Sequence, residues 1–141
     1  MAEELAVAIR LANQKVKFSG TARGNPPIVM DYFPPLGDGE GYTGLEMLLM
    51  SLAGCSASTV VPLLRRMKKT VAGFQVQARG VRREQHPTAF EKIFLEFVLV
   101  SPDATAEDLQ KAIQMSEENF CPVWSMLKNS AVITYEAKVN P

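Results

Sequence analysis

The chain has 141 residues, 47% hydrophobic and 21% charged, enough apolar material to close one core; a disordered or collagen-like polymer is excluded. Fifteen basic side chains balance fifteen acidic ones, so no net field draws the chain to nucleic acid or to an anionic membrane. The length reads as a single domain spanning 1–141.

The first third reads as strands. Leu5, Val7, Ile9 and Leu11 alternate with Ala6, Ala8 and Arg10, the period of a half-buried strand. Asn13-Gln14 turns the chain into a second strand carrying Val16 and Phe18, and a third apolar run, Ile28 to Phe33, follows Pro26-Pro27. Pro34 to Gly41 is a Pro/Gly-rich loop with poor prospects of regular structure. Thr43-Gly-Leu-Glu46 then fits a capping box, which predicts a helix from about residue 44 to Lys69. Gly54 and Pro62 are the places where it would break or kink.

From Met47 to Leu64 this helix carries no charge; Arg65, Arg66, Lys68 and Lys69 follow. Eighteen residues make roughly 27 Å of helix, close to a bilayer span. Ser51, Gly54, Ser56, Ser58, Thr59 and Pro62 dilute its hydrophobicity, and MAEELAVAIR opens with two glutamates instead of a basic, then apolar, leader. The expectation is a soluble cytoplasmic protein. A helix apolar around most of its circumference must be covered on most sides, and a homodimer burying one such helix against its twin does this most simply.

Phe74, Val76 and Ala78 predict a fourth strand and Phe90 to Val100 a fifth, with Arg82 to Thr88 turning between them. A second helix follows Thr105, with Leu109, Ala112, Ile113, Ser116 and Phe120 near one side. Cys121-Pro122 interrupts it, making Cys121 the N-cap of a short turn through Trp124 and Leu127. Ala131 to Val139 closes the chain as a sixth strand. This order predicts an α+β fold with largely antiparallel sheet.

Two cysteines 66 positions apart and one histidine form neither a disulfide framework nor a Cys/His zinc pattern. Cys55, among the small residues of Ala53-Gly-Cys-Ser-Ala57, is either a small buried hydrophobe or a nucleophile. The nucleophile must ionise, and a helix break at Gly54 would place Cys55 at a helix N-terminus, where the dipole favours the anion. Cys121 has the better local argument for an activated or accessible thiol, and the two together could form a reversible disulfide. Glu46 is explained by the capping box; nine residues place it across an uninterrupted helix from Cys55, roughly 13 Å away. The two cooperate only if the helix breaks or if they come from different subunits. Arg23, leaving the second strand, is a solvated side chain or a fork of donors for a thiolate or carboxylate. His86 in its polar turn and the acidic Gly37–Gly41 loop offer no catalytic or phosphate-binding spacing.

The run Gly44-Leu-Glu-Met-Leu-Leu-Met-Ser-Leu-Ala-Gly-Cys55 resembles the central-helix signature of the OsmC/Ohr family, the osmotically inducible and organic hydroperoxide resistance proteins. Glu117-Glu-Asn-Phe-Cys121-Pro-Val resembles its second cysteine motif, and the His86-Pro87 turn before a long apolar strand also fits. The nine-residue Glu-to-Cys interval is closer to the OsmC-like branch. The resemblance implies one OsmC-like domain in an intertwined homodimer, sheets wrapped around long central helices, with two sites at the subunit interface. It implies that Cys55 is the peroxidatic cysteine, Cys121 the resolving one, and Glu46 and Arg23 the residues that orient and activate the thiolate. The substrate would be a small organic hydroperoxide, and the reductant an external dithiol, a lipoylated protein in some relatives. No metal or bound organic cofactor is implied. Met47, Leu48, Met50 and Phe120 are candidate walls for an alkyl group. The alternative is a non-enzymatic dimer of this fold that binds a small apolar molecule at its interface.

Overall fold

The computed structural model describes residues 3–141. In chain order these form β1 (Ala8–Leu11), β2 (Phe18–Thr21), β3 (Ile28–Met30), α1 (Gly44–Arg66), β4 (Gly73–Arg82) and β5 (Phe90–Val100). Then come α2 (Ala106–Met115), a π-helical turn (Ser116–Phe120), α3 (Pro122–Leu127) and β6 (Val132–Val139). The fold is the α+β arrangement that the sequence predicts. Two compact units divide within α1, one ending at Leu48 and the other running from Leu49 to Pro141.

In the first unit, β1, β2 and β3 form an antiparallel meander in which Ile9 pairs with Gly20 and Phe18 with Met30. Its strands are shorter than the apolar alternation suggests: Leu5 and Val7 precede β1, and Val16 precedes β2. Leu5 and Val7 are each 79% exposed, Ile9 58% and Leu11 53%. The face that the alternation assigns to a core is therefore open in a single chain. The turn from β2 to β3 has positive φ at both Arg23 (56°) and Gly24 (77°), and the Asn25 N–H closes on the Ala22 carbonyl at 3.1 Å. Paired left-handed residues match the right-handed twist of the strands they join.

The second unit holds the core. β4 runs antiparallel to β5, pairing Phe74 with Leu99 and Ala78 with Leu95. β6 runs parallel to β5, pairing Ile93 with Ile133 and Leu99 with Val139. This one parallel pair follows from its connection, which carries both α2 and α3 and is long enough to cross over; the other three strand pairings are antiparallel. Ile93, Leu95, Phe97 and Leu99 all point from β5 into the core, where they meet Leu52, Val60 and Leu64 of α1 and Leu109, Ala112 and Ile113 of α2. Tyr135 stands edge-on to Phe97 and close to edge-on to Trp124, with centroids 5.9 and 6.2 Å away, the geometry aromatic quadrupoles favour.

α1 runs unbroken through Gly54 and Pro62, contrary to the expected interruption. Pro62 lacks the N–H that would bond the Ser58 carbonyl, but both residues are exposed, so water can satisfy that oxygen. The helix also ends at Arg66, short of Lys69. Lys68 takes the left-handed conformation (φ 61°), while Lys68 and Lys69 N–H return to the Arg65 and Leu64 carbonyls at 2.9 and 3.0 Å, a Schellman cap. α1 is long and apolar enough to span a bilayer, yet only 28% of its most apolar stretch is buried within the chain. Leu52, Ser56, Val60, Leu63 and Leu64 form that buried stripe.

Phe97→Ala removes a fully buried ring from the centre of this core; it is expected to lower stability by about 3–5 kcal/mol, read as a shift in the urea midpoint with little change in slope.

Candidate active site

Cys55 and Cys121 meet in the second unit. Cys55 lies well inside the continuous α1, roughly three turns from its start, so the expected help from a helix N-terminus is absent. Its side chain is half-buried. Cys121 is only 2% exposed, which corrects the expectation of an accessible thiol. It caps α3 as the Cys-Pro pair predicts: its Sγ accepts the Trp124 N–H at 3.4 Å, and Pro122 takes the first helical position. On its other side the Cys121 N–H donates to the Ser116 carbonyl at 2.8 Å, closing the π-helical turn. The sequence predicts ordinary helix through Phe120; the wider turn fits one more residue between α2 and the sulfur, and such turns recur at functional sites.

Hydroxyls fill the space between α1 and this turn. Ser56 and Ser116 are fully buried. The Ser56 Oγ lies 3.8 Å from the Cys121 Sγ, and Thr59 and Ser116 share a hydrogen bond. Thr59 also reaches the Ser56 carbonyl at 3.0 Å, and Ser58 the Cys55 carbonyl at 3.0 Å. Burial pushes the Cys55 thiol above its ordinary value of 9.0, and the adjacent Cys121 sulfur pushes the same way; the Val123 backbone N–H partly opposes them. Both cysteines are reduced. Without a cation, this site holds a neutral thiol.

The first unit carries the other two candidates. Glu46 closes the expected capping box: the Thr43 N–H donates to its carboxylate at 2.9 Å, and its own N–H donates to the Thr43 Oγ1 at 3.2 Å. Its exposed side chain also edges an open cleft of ≈ 660 Å³ lined by Val29, Tyr32, Phe33, Tyr42 and Thr43. Arg23 sits exposed at the β2–β3 turn, and its left-handed backbone is uncommon for a residue with a Cβ.

The Pro/Gly loop beside that cleft is built around Asp31, which is 4% exposed. One carboxylate oxygen accepts the Tyr32 N–H at 2.7 Å; the other accepts the Asp38 and Glu40 N–H groups at 3.2 and 3.1 Å. A Cβ at Gly37 would collide with this carboxylate and with the Tyr32 backbone. Asp31, Asp38 and Glu40 bring carboxylates close enough to hold a cation, and the loop's own N–H groups already account for Asp31.

Sequence reasoning missed Ser56 and the aromatic wall of Tyr32, Phe33 and Tyr42. The wall was signalled only by exposed aromatics in a loop that lacks other apolar cover. The expected wall residues lie elsewhere. Met50 and Phe120 are exposed at 46% and 50% and Met47 and Leu48 are half-buried, so none of the four joins the core. Phe120 lines a smaller pocket of ≈ 270 Å³ with Ser58, Thr59, Pro62, Leu63 and Arg66. His86 stays exposed in the β4–β5 turn.

The fold and the two cysteine motifs define a small α+β domain of the class in which a helix cysteine faces a second, loop-borne one. The chain belongs to the OsmC-like protein family, whose model matches residues 37–136. It is similar to protein YhfA of Escherichia coli K12, 34% identical over 95 residues that cover 67% of this chain and 71% of that protein. The crystal structure of an OsmC-like protein from Mycoplasma pneumoniae superposes with a TM-score of 0.84 at 18% identity, covering 99% of both chains. The organic hydroperoxide resistance protein OhrB of Bacillus subtilis superposes at 0.65 and 15% identity, covering 96% of this chain and 98% of its own. The last two establish the shared fold.

Burial alone would raise the Asp31 carboxyl, but the three N–H donors and the Lys17 charge outweigh it and hold the group below its ordinary 3.8. A depressed folded value contributes stability above the ordinary one and loses it as pH falls through the folded one. Asp31→Asn replaces one acceptor oxygen with a donor, so the Asp38 and Glu40 amides should exchange hydrogen faster at neutral pH. In the unchanged chain the same acceleration should appear only below about pH 4.

Proposed function

We propose that the protein is a cytoplasmic, homodimeric thiol peroxidase that reduces small organic hydroperoxides. The observation that supports it best is the meeting of Cys55, on α1, with Cys121, which lies 66 residues further along the chain. The Cys55 thiolate attacks the O–O bond, the alcohol leaves and Cys55 becomes a sulfenic acid. Cys121 then attacks that sulfur, releasing water and forming a disulfide. An external dithiol, such as a lipoylated protein, restores both thiols, and no metal or organic cofactor takes part.

The same reading requires a second subunit. Burial holds Cys55 neutral in one chain, and α1 is continuous, so Glu46 stands on the face away from Cys55. A twin chain can bring Arg23, Glu46 and the aromatic cleft to the sulfur while covering the exposed apolar residues of β1 and α1. No nucleic acid or membrane is needed as a partner. The raised Cys55 thiol also favours a second reading, a dimer that binds a small apolar molecule against Tyr32, Phe33 and Tyr42 without turnover.

One equivalent of cumene hydroperoxide should remove two hydrogens from the intact mass of each chain. Cys55→Ser should abolish the loss, and Cys121→Ser should leave a sulfenic or over-oxidised Cys55. An unchanged mass with slow thiol labelling would favour the binding module instead.

Arg23→Ala should slow alkylation of Cys55 at pH 7 about tenfold or more and move its pH profile upward, since an arginine beside a thiolate lowers its pKa by a unit or more. Light scattering should show a dimer before and after the change.

A further inference from the structure

Resting on that reading, we propose that Ser56 is the positioning residue for the sulfur of Cys121, and that Cys121 is the sulfur released when the disulfide is reduced. Ser56 is fully buried, and Cys121 is 2% exposed. A buried hydroxyl needs a partner, and the one this hydroxyl has among the described residues is the Cys121 Sγ, at 3.8 Å. Ser58 and Thr59, two and three residues further along α1, bond backwards to carbonyls of their own helix, and Thr59 also meets the Ser116 hydroxyl. Of the three hydroxyls, that of Ser56 is the one in contact with a cysteine sulfur.

The contact works in both states of the sulfur. A Cys121 thiol can give its proton to the Ser56 oxygen; a Cys121 thiolate can take the Ser56 O–H, together with the Trp124 N–H that already points at it from 3.4 Å. Cys55 also has a backbone N–H beside it, that of Val123, but it lacks a hydroxyl partner among the described residues and is half-buried where Cys121 is enclosed. A dithiol therefore attacks the Cys55 Sγ through its thiolate. The S–S bond breaks, its electron pair goes to the Cys121 Sγ, and the reductant stays on Cys55 as a mixed disulfide. The reductant's second thiol, as thiolate, then displaces Cys55 and leaves as a cyclic disulfide, and water protonates the two cysteine sulfurs as required. Exchange rates depend on which sulfur is attacked and on how well the leaving sulfur carries charge.

The test uses diamide, which joins neighbouring thiols without hydroperoxide, so the outcome does not depend on peroxidase activity. Oxidised full-length chain is mixed with excess glutathione, quenched with N-ethylmaleimide within the first turnover, and digested to locate the glutathione by peptide mass. It should sit on Cys55. Ser56→Ala should slow the reduction about tenfold, the loss of one hydrogen bond to a charged group, and should raise the share found on Cys121. Urea melts of the variant and emission of Trp124, the chain's one tryptophan, show whether the fold is kept. The wild-type location stands as a test even where the variant is unstable. Glutathione on Cys121 in the wild type, an unchanged rate and location in a folded Ser56→Ala chain, or no intramolecular disulfide with diamide would each overturn the assignment. A chain that forms the disulfide with diamide but not with cumene hydroperoxide loses the peroxidase reading while Ser56 is still decided.

Discussion

Between Glu46 and Arg65 the central helix offers no charged side chain to water, and its own chain buries only one stripe of it. Apolar area left in water costs about 25 cal/mol per Å², and a contiguous patch of this kind marks a surface made to be covered. The first unit has the same excess: Leu5, Val7, Ile9 and Leu11 stand more than half exposed, with Phe33, Leu36 and Tyr42 beside them in that state. Neither surface is accounted for by the fold of one chain. Both are surfaces that the proposed homodimer would cover.

That incompleteness reaches the sulfur chemistry. Leu52, Ser56 and Val60 pull one side of α1 into the core, and Cys55 is carried partly inward next to Ser56. Burial then favours the neutral thiol, and Cys121 adds to the effect. The features that hold the two cysteines together thus work against the ionisation of Cys55. In the proposed cycle, the enclosure of Cys121 by the Ser56 hydroxyl and the Trp124 N–H suits a sulfur that receives charge late. Cys55 would receive it first there, and among the described residues no cationic group contributes to its state.

Much of this was legible in the sequence because it depends on local chemistry. Thr43 and Glu46 cap α1 because a hydroxyl and a carboxylate three residues apart satisfy each other's backbone N–H, and Cys121 caps α3 because proline follows it. Ile93, Leu95, Phe97 and Leu99 declare a buried strand face by alternation alone. What escaped depends on tertiary contact. Pro62 suggests a break, but its orphaned carbonyl faces water and the helix continues. The parallel pairing of β5 and β6 is fixed by how the α2–α3 crossover packs, and no residue in either strand announces it. Ser56 reads as one of several small residues around Cys55; its contact with Cys121 appears only when the π-helical turn carries that sulfur to it.

The resemblance and the local chemistry therefore meet at different depths. The cysteine pair is explained within one unit, by α1, the π-helical turn and the cap of α3. Glu46 and Arg23 are explained by their own local structure, a capping box and a left-handed turn, and both stay exposed. A capping carboxylate has a second oxygen to spare, and a guanidinium held at the tip of a tight turn presents its donors outward with little rotamer freedom lost to packing. Both therefore keep hydrogen-bonding capacity that their local structure does not use. In the proposed dimer one pairing would answer two separate needs, cover for the apolar face of α1 and a cation for the thiol that burial keeps neutral.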